Sequence, residues 1–283
     1  MNNLNLIDNI LLNALHEDIG SGDITTSALI PEGHVSTAEI IAKEALVLAG
    51  LLFAERTFKL VDCSIKFRPL KKDGSLVKAK TVVAKISGNT GSLLKAERVA
   101  LNVLQRCSGI ATLTNKYVEQ TKGIQVKITD TRKTAPGLRL FDKYAVRTGG
   151  GHNHRYGLFD GVLIKDNHIV AAGGIGKAVR LARTKAQHLL KIEVEVKNIR
   201  EVKEALSAGA DVIMLDNMSI NEMRKAVSLI RQNSTVVSIE ASGNVTLENV
   251  RLIAETGVGI ISVGALTHSA PASDLSMNIS AGK

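Results

Sequence analysis

In the second half of the chain, short apolar runs rich in β-branched residues recur, and each stops abruptly at polar residues suited to chemistry. Residues 126–129 stop at Asp130-Thr131-Arg132-Lys133, and 161–164 stop at Lys165-Asp166-Asn167-His168. The run 192–196 carries Glu193 and Glu195 and ends at Lys197-Asn198. Residues 211–215 stop at Asp216-Asn217, 236–239 at Glu240-Ala241-Ser242-Gly243-Asn244, and 258–263 at Gly264. Between the runs, the spacing predicts helices over 177–186, 199–208, 220–232 and 247–255, with Ser219 and Thr246 as N-caps of the last two. Buried strands alternating with helices predict a parallel sheet. Six clear strands fall short of an eight-stranded barrel, so an incomplete barrel of six to seven strands is expected. A doubly wound open sheet is the competitor; no glycine fingerprint follows the first strand, which argues against its dinucleotide-binding version. Functional residues of α/β barrels gather at the carboxyl ends of the strands. This half therefore reads as an enzyme whose site is a ring of strand ends.

The first 110 residues follow another pattern. Leu4, Ile7, Ile10, Leu11, Ala14 and Leu15 keep helical spacing. A polar, glycine-punctuated loop over 17–26 follows, then a weak strand over 37–43 and a helix over 51–60. Strands are expected over 64–67 and 77–86, with a turn at Lys72-Asp73-Gly74. A long helix is expected from an N-cap at Ser92 to a stop at Gly109, burying Leu93, Ala96, Ala100, Val103, Leu104 and Cys107 on one face. With no strand–helix–strand repeat, 1–110 is expected to be a separate α+β sandwich domain. The α/β barrel would then span 111–269, and the tail 270–283 would pack back on the first domain.

Composition narrows the function. The apolar content is 45% but aromatics are only 3% and tryptophan is absent. The core must be aliphatic, and stacking platforms for nucleic acid lose support. The net charge of +9 is not gathered in one tract. Several cations sit beside strand ends instead, which points to a small polyanionic substrate rather than nucleic acid. Cys63 and Cys107 lie in no metal-ligand spacing and fit a reducing, cytoplasmic setting without disulfide or zinc. The N-terminus lacks the pattern of a signal peptide, and no apolar run approaches the roughly 18–20 residues that span a bilayer.

The densest cationic cluster is Arg132, Lys133 and Arg139, around Pro136-Gly137. Arginine offers a planar fork matched to carboxylate or phosphate. In Gly149-Gly150-Gly151-His152-Asn153-His154-Arg155, the glycines would let backbone approach a ligand or let the loop change shape. The neighbouring arginine makes anion contact by His154 and Arg155 a better reading than a histidine metal pair. Lys165 could form a Schiff base, bind phosphate or join a buried ion pair. Glu195 and Asp216 suit magnesium or ribose hydroxyls. Glu193 points to the same side of its strand as Glu195, and one of the two could be structural. Ser242-Gly243-Asn244 and Gly264-Ala265, at consecutive strand ends, suit a phosphate cradle. No serine or cysteine nucleophile with its base is evident. The set suits two anionic substrates with magnesium, and so a transfer to or from a phosphorylated sugar.

These residues resemble the quinolinate phosphoribosyltransferase family. The resemblance rests on Asp130 to Arg139, Gly149-Gly150-Gly151 with Asn153-His154-Arg155, and Leu163 to Ile169. It extends to Glu17-Asp18, Gly22-Asp23, Thr25-Thr26, Glu97-Arg98, Leu101-Asn102, Glu193 to Val196, Leu215-Asp216-Asn217 and Glu240 to Asn244, with no departure at a position the family uses. It implies a homodimer with shared active sites, with a hexamer left open, and an incomplete barrel. It implies that quinolinate and phosphoribosyl pyrophosphate, with Mg2+, give nicotinate mononucleotide, pyrophosphate and carbon dioxide in de novo NAD synthesis. By position, Arg98 of the partner subunit, Arg132, Lys133, His154 and Arg155 would hold the quinolinate carboxylates, with Thr131 beside them. Lys133 and Lys165 would also face the sugar. Glu195 and Asp216 would bind ribose hydroxyls, directly or through magnesium. Ser242, Gly243, Asn244, Val263, Gly264 and Ala265 would hold the 5′-phosphate. The resemblance places the chemistry on Lys133, Lys165, Glu195 and Asp216.

Three other readings stand beside it. A molybdenum-transport-associated relative shares the fold with a different substrate, although Asp160 with Leu163 to His168 is similar to the quinolinate branch. A Schiff-base aldolase would use Lys165, and a nucleic-acid-binding protein would explain the charge.

Overall fold

A computed structural model describes residues 3–281. In chain order the elements begin with α1 (Asn3–Ile19), α2 (Ile24–Leu29), β1 (Val35–Ala42), β2 (Leu46–Val47), α3 (Leu51–Val61), β3 (Lys66–Pro69), β4 (Leu76–Val77), β5 (Val82–Asn89) and α4 (Thr90–Gln120). There follow β6 (Lys127–Thr129), α5 (Arg139–Thr148), β7 (Val162–Ile164), α6 (Asp166–Ala172), α7 (Ile175–Lys185), β8 (Ile192–Val196), α8 (Ile199–Ser207) and β9 (Val212–Asp216). The chain ends with α9 (Ile220–Asn233), β10 (Ser238–Ser242), α10 (Val250–Ala254), β11 (Ile260–Ser262), α11 (Ala265–His268) and β12 (Leu275–Ala281). Two compact units result. One gathers residues up to Asn115, Thr134–Gly150 and Leu266 onward; the other comprises Lys116–Lys133 and Gly151–Ala265. The sequence division near 110 had assigned 134–150 to the barrel.

The first unit carries an antiparallel sheet of order β12-β1-β5-β3 and a small β2-β4 pair. β1 alternates exposed and buried positions, and it pairs with β12 from Ser36↔Ala281 to Ala42↔Leu275. Residues 282–283 of the expected tail lie outside the described residues. The strand expected over 77–86 is two strands, because Lys80 takes the left-handed φ of 67° and breaks the run. The core is aliphatic, with Ile40, Leu46, Leu93 and Leu104 fully buried around Phe58.

α4 departs from expectation at both ends. Its start is held by Asn89, whose Oδ1 accepts from the Ser92 amide at 3.0 Å, rather than by Ser92. It also runs straight through Gly109. There a Cβ would collide with the carbonyl oxygen of Pro271, so the glycine serves close packing and not termination. Gly149 behaves alike: its Cβ would collide with Ala111 O of α4. The residues of α5 were not expected to be helical. Asp142 on α5 is fully buried and takes two hydrogen bonds from Arg106, each 2.8 Å, while its Oδ2 also accepts from Ala135 N–H at 3.3 Å.

The second unit is the expected parallel sheet, of order β6-β11-β10-β9-β8-β7. His152 adds one parallel bridge to Thr129 at the β6 edge. The sheet curls. Four strand spacings from β6 to β8 amount to about 19 Å on a flat sheet, yet His154, two residues beyond that bridge, reaches Glu193 of β8 at 3.2 Å. Ser219 caps α9 in a reciprocal arrangement with Glu222. Thr246 is not the N-cap of α10: that position is Asn249, whose Oδ1 accepts from the Thr246 amide at 2.8 Å, and the helix begins at Val250. Among the described residues, no helix is long and apolar enough to cross a membrane.

Candidate active site

The register of the parallel strands stacks the site residues in two rows. Asp216, Ser242, Ser262 and Thr129 lie side by side across β9, β10, β11 and β6. Glu195, Met214 and Glu240 form the row beneath them on β8, β9 and β10. Residues two apart on a strand share a face, so Glu193 lies one step below Glu195. The strands buried on both faces thus line a polar interior with carboxylates.

Lys165 ends β7 and pairs with Glu195 Oε2 at 2.7 Å. Lys197 ends β8 and pairs with Asp166 at 2.9 Å; that contact, and the charges of Glu195 and Asp216, raise its pKa. A cation therefore follows each of β7 and β8, and each makes an ion pair at the strand ends. Lys133 is exposed just after β6, and its amide donates to Thr131 Oγ1 at 3.0 Å. Arg132 is half-buried.

Asp130 organises the turn that carries His154 and Arg155. It is fully buried, accepts from Asn153 Nδ2 at 2.6 Å and accepts from the His154 amide at 2.9 Å. Arg155 donates through Nη1 to Gly161 O at 2.9 Å. Its pKa is lowered, first by burial and then by the nearby charge of Arg132. Two guanidiniums brought together in this way are stabilised by a bound anion.

His154 turns into the barrel. Its Nε2 lies 3.2 Å from Glu193 Oε2 and 3.7 Å from Glu240 Oε2, while Nδ1 accepts from the Arg155 amide at 2.8 Å. Glu240 is 2% exposed, and burial together with the adjacent Glu193 pushes its carboxyl up to about 8. Sequence reasoning gave Glu240 no role and left Glu193 undecided. The available signal was a carboxylate between Ile239 and Ala241 on a buried strand, where an acid needs a partner.

At the β10 end, Asn217 and Asn244 take left-handed φ values of 53° and 49°, and Gly243 takes 90°. Asn244 Nδ2 donates to Asn217 Oδ1 at 3.0 Å, and that side chain occupies the space a Cβ on Gly243 would need. The turn is compact and backbone-lined. The Val263 amide donates to Thr129 O at 2.9 Å, and Gly264 and Ala265 follow it at the β11 end. Arg98 is exposed on α4. The other expected site residues, from Thr131 to Ala265, all belong to the second unit.

The quinolinate phosphoribosyl transferase N-terminal domain family matches residues 23–108, and the corresponding C-terminal domain family matches 110–278. The chain belongs to the quinolinate phosphoribosyl transferase family. It is 50% identical over 274 residues to a probable carboxylating nicotinate-nucleotide pyrophosphorylase of Synechocystis, covering 97% of this chain and 92% of the relative. It is 45% identical over 279 residues to a probable enzyme of the same name from Bacillus subtilis, covering 99% and 95%. The crystal structure of NadC from Streptococcus pyogenes superposes with a TM-score of 0.93 at 43% identity, covering 98% of this chain and 97% of that one. Identity of 45–50% to carboxylating pyrophosphorylases over nearly the whole chain favours the expected reaction over the molybdenum-associated reading, and family membership favours it over the aldolase and nucleic-acid readings.

Proposed function

We propose that the chain transfers the phosphoribosyl group of phosphoribosyl pyrophosphate to quinolinate and decarboxylates the product at the carboxyl ends of β6 to β11. The observation that carries the substrate assignment is the gathering of Arg132, Lys133 and Arg155 at the β6 end, where the Thr129–His152 bridge brings their two segments alongside. Quinolinate brings two carboxylates, which offset the repulsion between these cations. The ring nitrogen attacks the anomeric carbon, and the bond to pyrophosphate breaks with its electron pair leaving on the pyrophosphate oxygen. Glu195 and Asp216 hold the ribose hydroxyls and face the oxocarbenium character of the transition state. Once quaternary, the positive nitrogen stabilises, as an ylide, the electron pair left on the adjacent ring carbon when its bond to the carboxylate breaks and carbon dioxide leaves, and that pair then takes a proton. The backbone around Ser242, Gly243, Asn244, Gly264 and Ala265 supports the 5′-phosphate, with Val263 as part of the wall.

Glu195 and Asp216 are hard oxygen donors on neighbouring strands and fit Mg2+, although Lys165 occupies Glu195 Oε2 in this arrangement. When bound, Mg2+ supplies charge that offsets the departing pyrophosphate. Lys165 swings from Glu195 toward the sugar donor as that carboxylate engages ribose. The proposal includes a cytoplasmic homodimer in which Arg98 of the partner subunit completes the quinolinate pocket.

The test is discrimination against nicotinate, which lacks one carboxylate. Losing a charge-assisted pair in a desolvated site costs about 2–5 kcal/mol. Quinolinate should therefore be turned over far better than nicotinate; equal turnover sinks the assignment.

A further inference from the structure

His154 was expected to meet substrate as a cation, but its surroundings give it another task. A backbone N–H can only donate, so the Arg155 amide 2.8 Å from Nδ1 makes that nitrogen an acceptor. The ring proton must then sit on Nε2, where it points at Glu193 Oε2 at 3.2 Å with Glu240 Oε2 behind it at 3.7 Å. We propose that Glu193, backed by Glu240, is a positioning residue for quinolinate binding: it holds His154 as the neutral Nε2–H tautomer and thereby fixes Arg155. His154 in turn presents no charge to a bound carboxylate; the charge comes from Arg132, Lys133 and Arg155.

The chain of contacts is short. Asp130 holds the turn from beneath through Asn153 and the His154 amide. Glu193, with the Glu240 carboxyl behind it, holds the imidazole, the imidazole holds the Arg155 main chain, and Gly161 O holds its guanidinium at 2.9 Å. These contacts at its main chain and its guanidinium leave Arg155 little freedom. A metal site is the competing use of the cluster, since one ligand atom from each of His154, Glu193 and Glu240 lies within 4.8 Å of the others. A ligating Nε2 needs its lone pair, however, and the proton on that nitrogen removes it.

The inference rests on the quinolinate reading for its consequence but not for its geometry, and two measurements separate them. Long-range proton–nitrogen correlation spectra of the full-length protein, labelled at histidine and assigned with His154→Gln, report the tautomer directly. Nδ1 should be unprotonated and Nε2 protonated from pH 6 to 8; an imidazolium or an Nδ1–H tautomer overturns the inference. Glu193→Ala should raise the quinolinate KM about tenfold or more, as loss of roughly one hydrogen bond to a charged group implies, with the KM for phosphoribosyl pyrophosphate unmoved. Glu193→Gln keeps an acceptor oxygen and should restore most of it. Equal changes in both KM values, or no rescue by glutamine, overturn the positioning role. Zn2+ or Mn2+ alone binding the wild type, with that binding lost in Glu240→Gln, also overturns it in favour of a metal site. If instead Arg155→Ala leaves the quinolinate KM unchanged while the tautomer is as stated, the quinolinate reading fails and the geometric inference stands.

Discussion

Arg155 is held beside another arginine, half-buried, with its proton affinity lowered by both circumstances. Removing it should cost the interaction with one substrate carboxylate. Arg155→Ala is expected to lower kcat/KM for quinolinate about 30- to 5,000-fold, the equivalent of about 2–5 kcal/mol. Steady-state kinetics with saturating sugar donor check this, and a loss under threefold contradicts it. Gly264 makes the complementary prediction at the phosphate end. Gly264→Asp puts a negative charge where the 5′-phosphate is proposed to lie. It should abolish binding of phosphoribosyl pyrophosphate in calorimetry while leaving quinolinate binding measurable; unchanged donor affinity moves the phosphate site elsewhere. Glu240 carries a pH signature. Its folded pKa of about 8 lies above the ordinary 4.5. The stability it contributes is therefore full below about 4.5 and is lost as pH rises through 8. Urea unfolding of wild type against Glu240→Gln should show the wild type losing ground steadily from pH 5 to 9, and a pH-independent difference contradicts the assignment. At this scale the strand-end cations and carboxylates were legible, because abrupt stops in apolar runs mark them. The His154–Glu193–Glu240 contact was not. It depends on how far the sheet curls, and no local pattern records that.

Elements were legible where period and composition agreed. The strand over 192–196 was read with the bounds it has, and the helix over 220–232 is one residue short, since alternation and capping chemistry both act locally. α4 shows why glycine misleads. From the sequence, Gly109 looks like a helix stop, but the chain passes through it because Pro271, far away in sequence, packs against that spot. Gly149 likewise lies against α4, where a Cβ would meet Ala111 O. The consequence can be measured. Gly109→Ala improves helix propensity by about 1 kcal/mol, yet the forced contact should outweigh it by the roughly 1–3 kcal/mol typical of overpacking, or more. Chemical denaturation should show a net loss of stability; a gain would mean the helix ends where the local pattern places it. α5 does carry an apolar stripe of Phe141, Ala145 and Val146, but it follows directly on Pro136-Gly137, which reads as a break. α6 buries none of its side chains, so it offered no apolar stripe to read.

For the whole molecule, the proposal requires two chains per site. Arg98→Ala and Lys165→Ala should each be nearly inactive. Mixed in equal amounts and refolded together, half the dimers are mixed and half of their sites carry no lesion, so about one quarter of wild-type activity should return. A mixture that stays dead, with subunit exchange confirmed by native mass spectrometry, removes Arg98 from the neighbouring site. The reaction itself has the most direct test. Purified protein is incubated with phosphoribosyl pyrophosphate, Mg2+ and quinolinate labelled in the carboxylate next to the ring nitrogen, and all products are counted. The account predicts that labelled carbon dioxide, pyrophosphate and nicotinate mononucleotide appear in equal amounts. Turnover of the donor without labelled carbon dioxide, or no turnover at all, would contradict it.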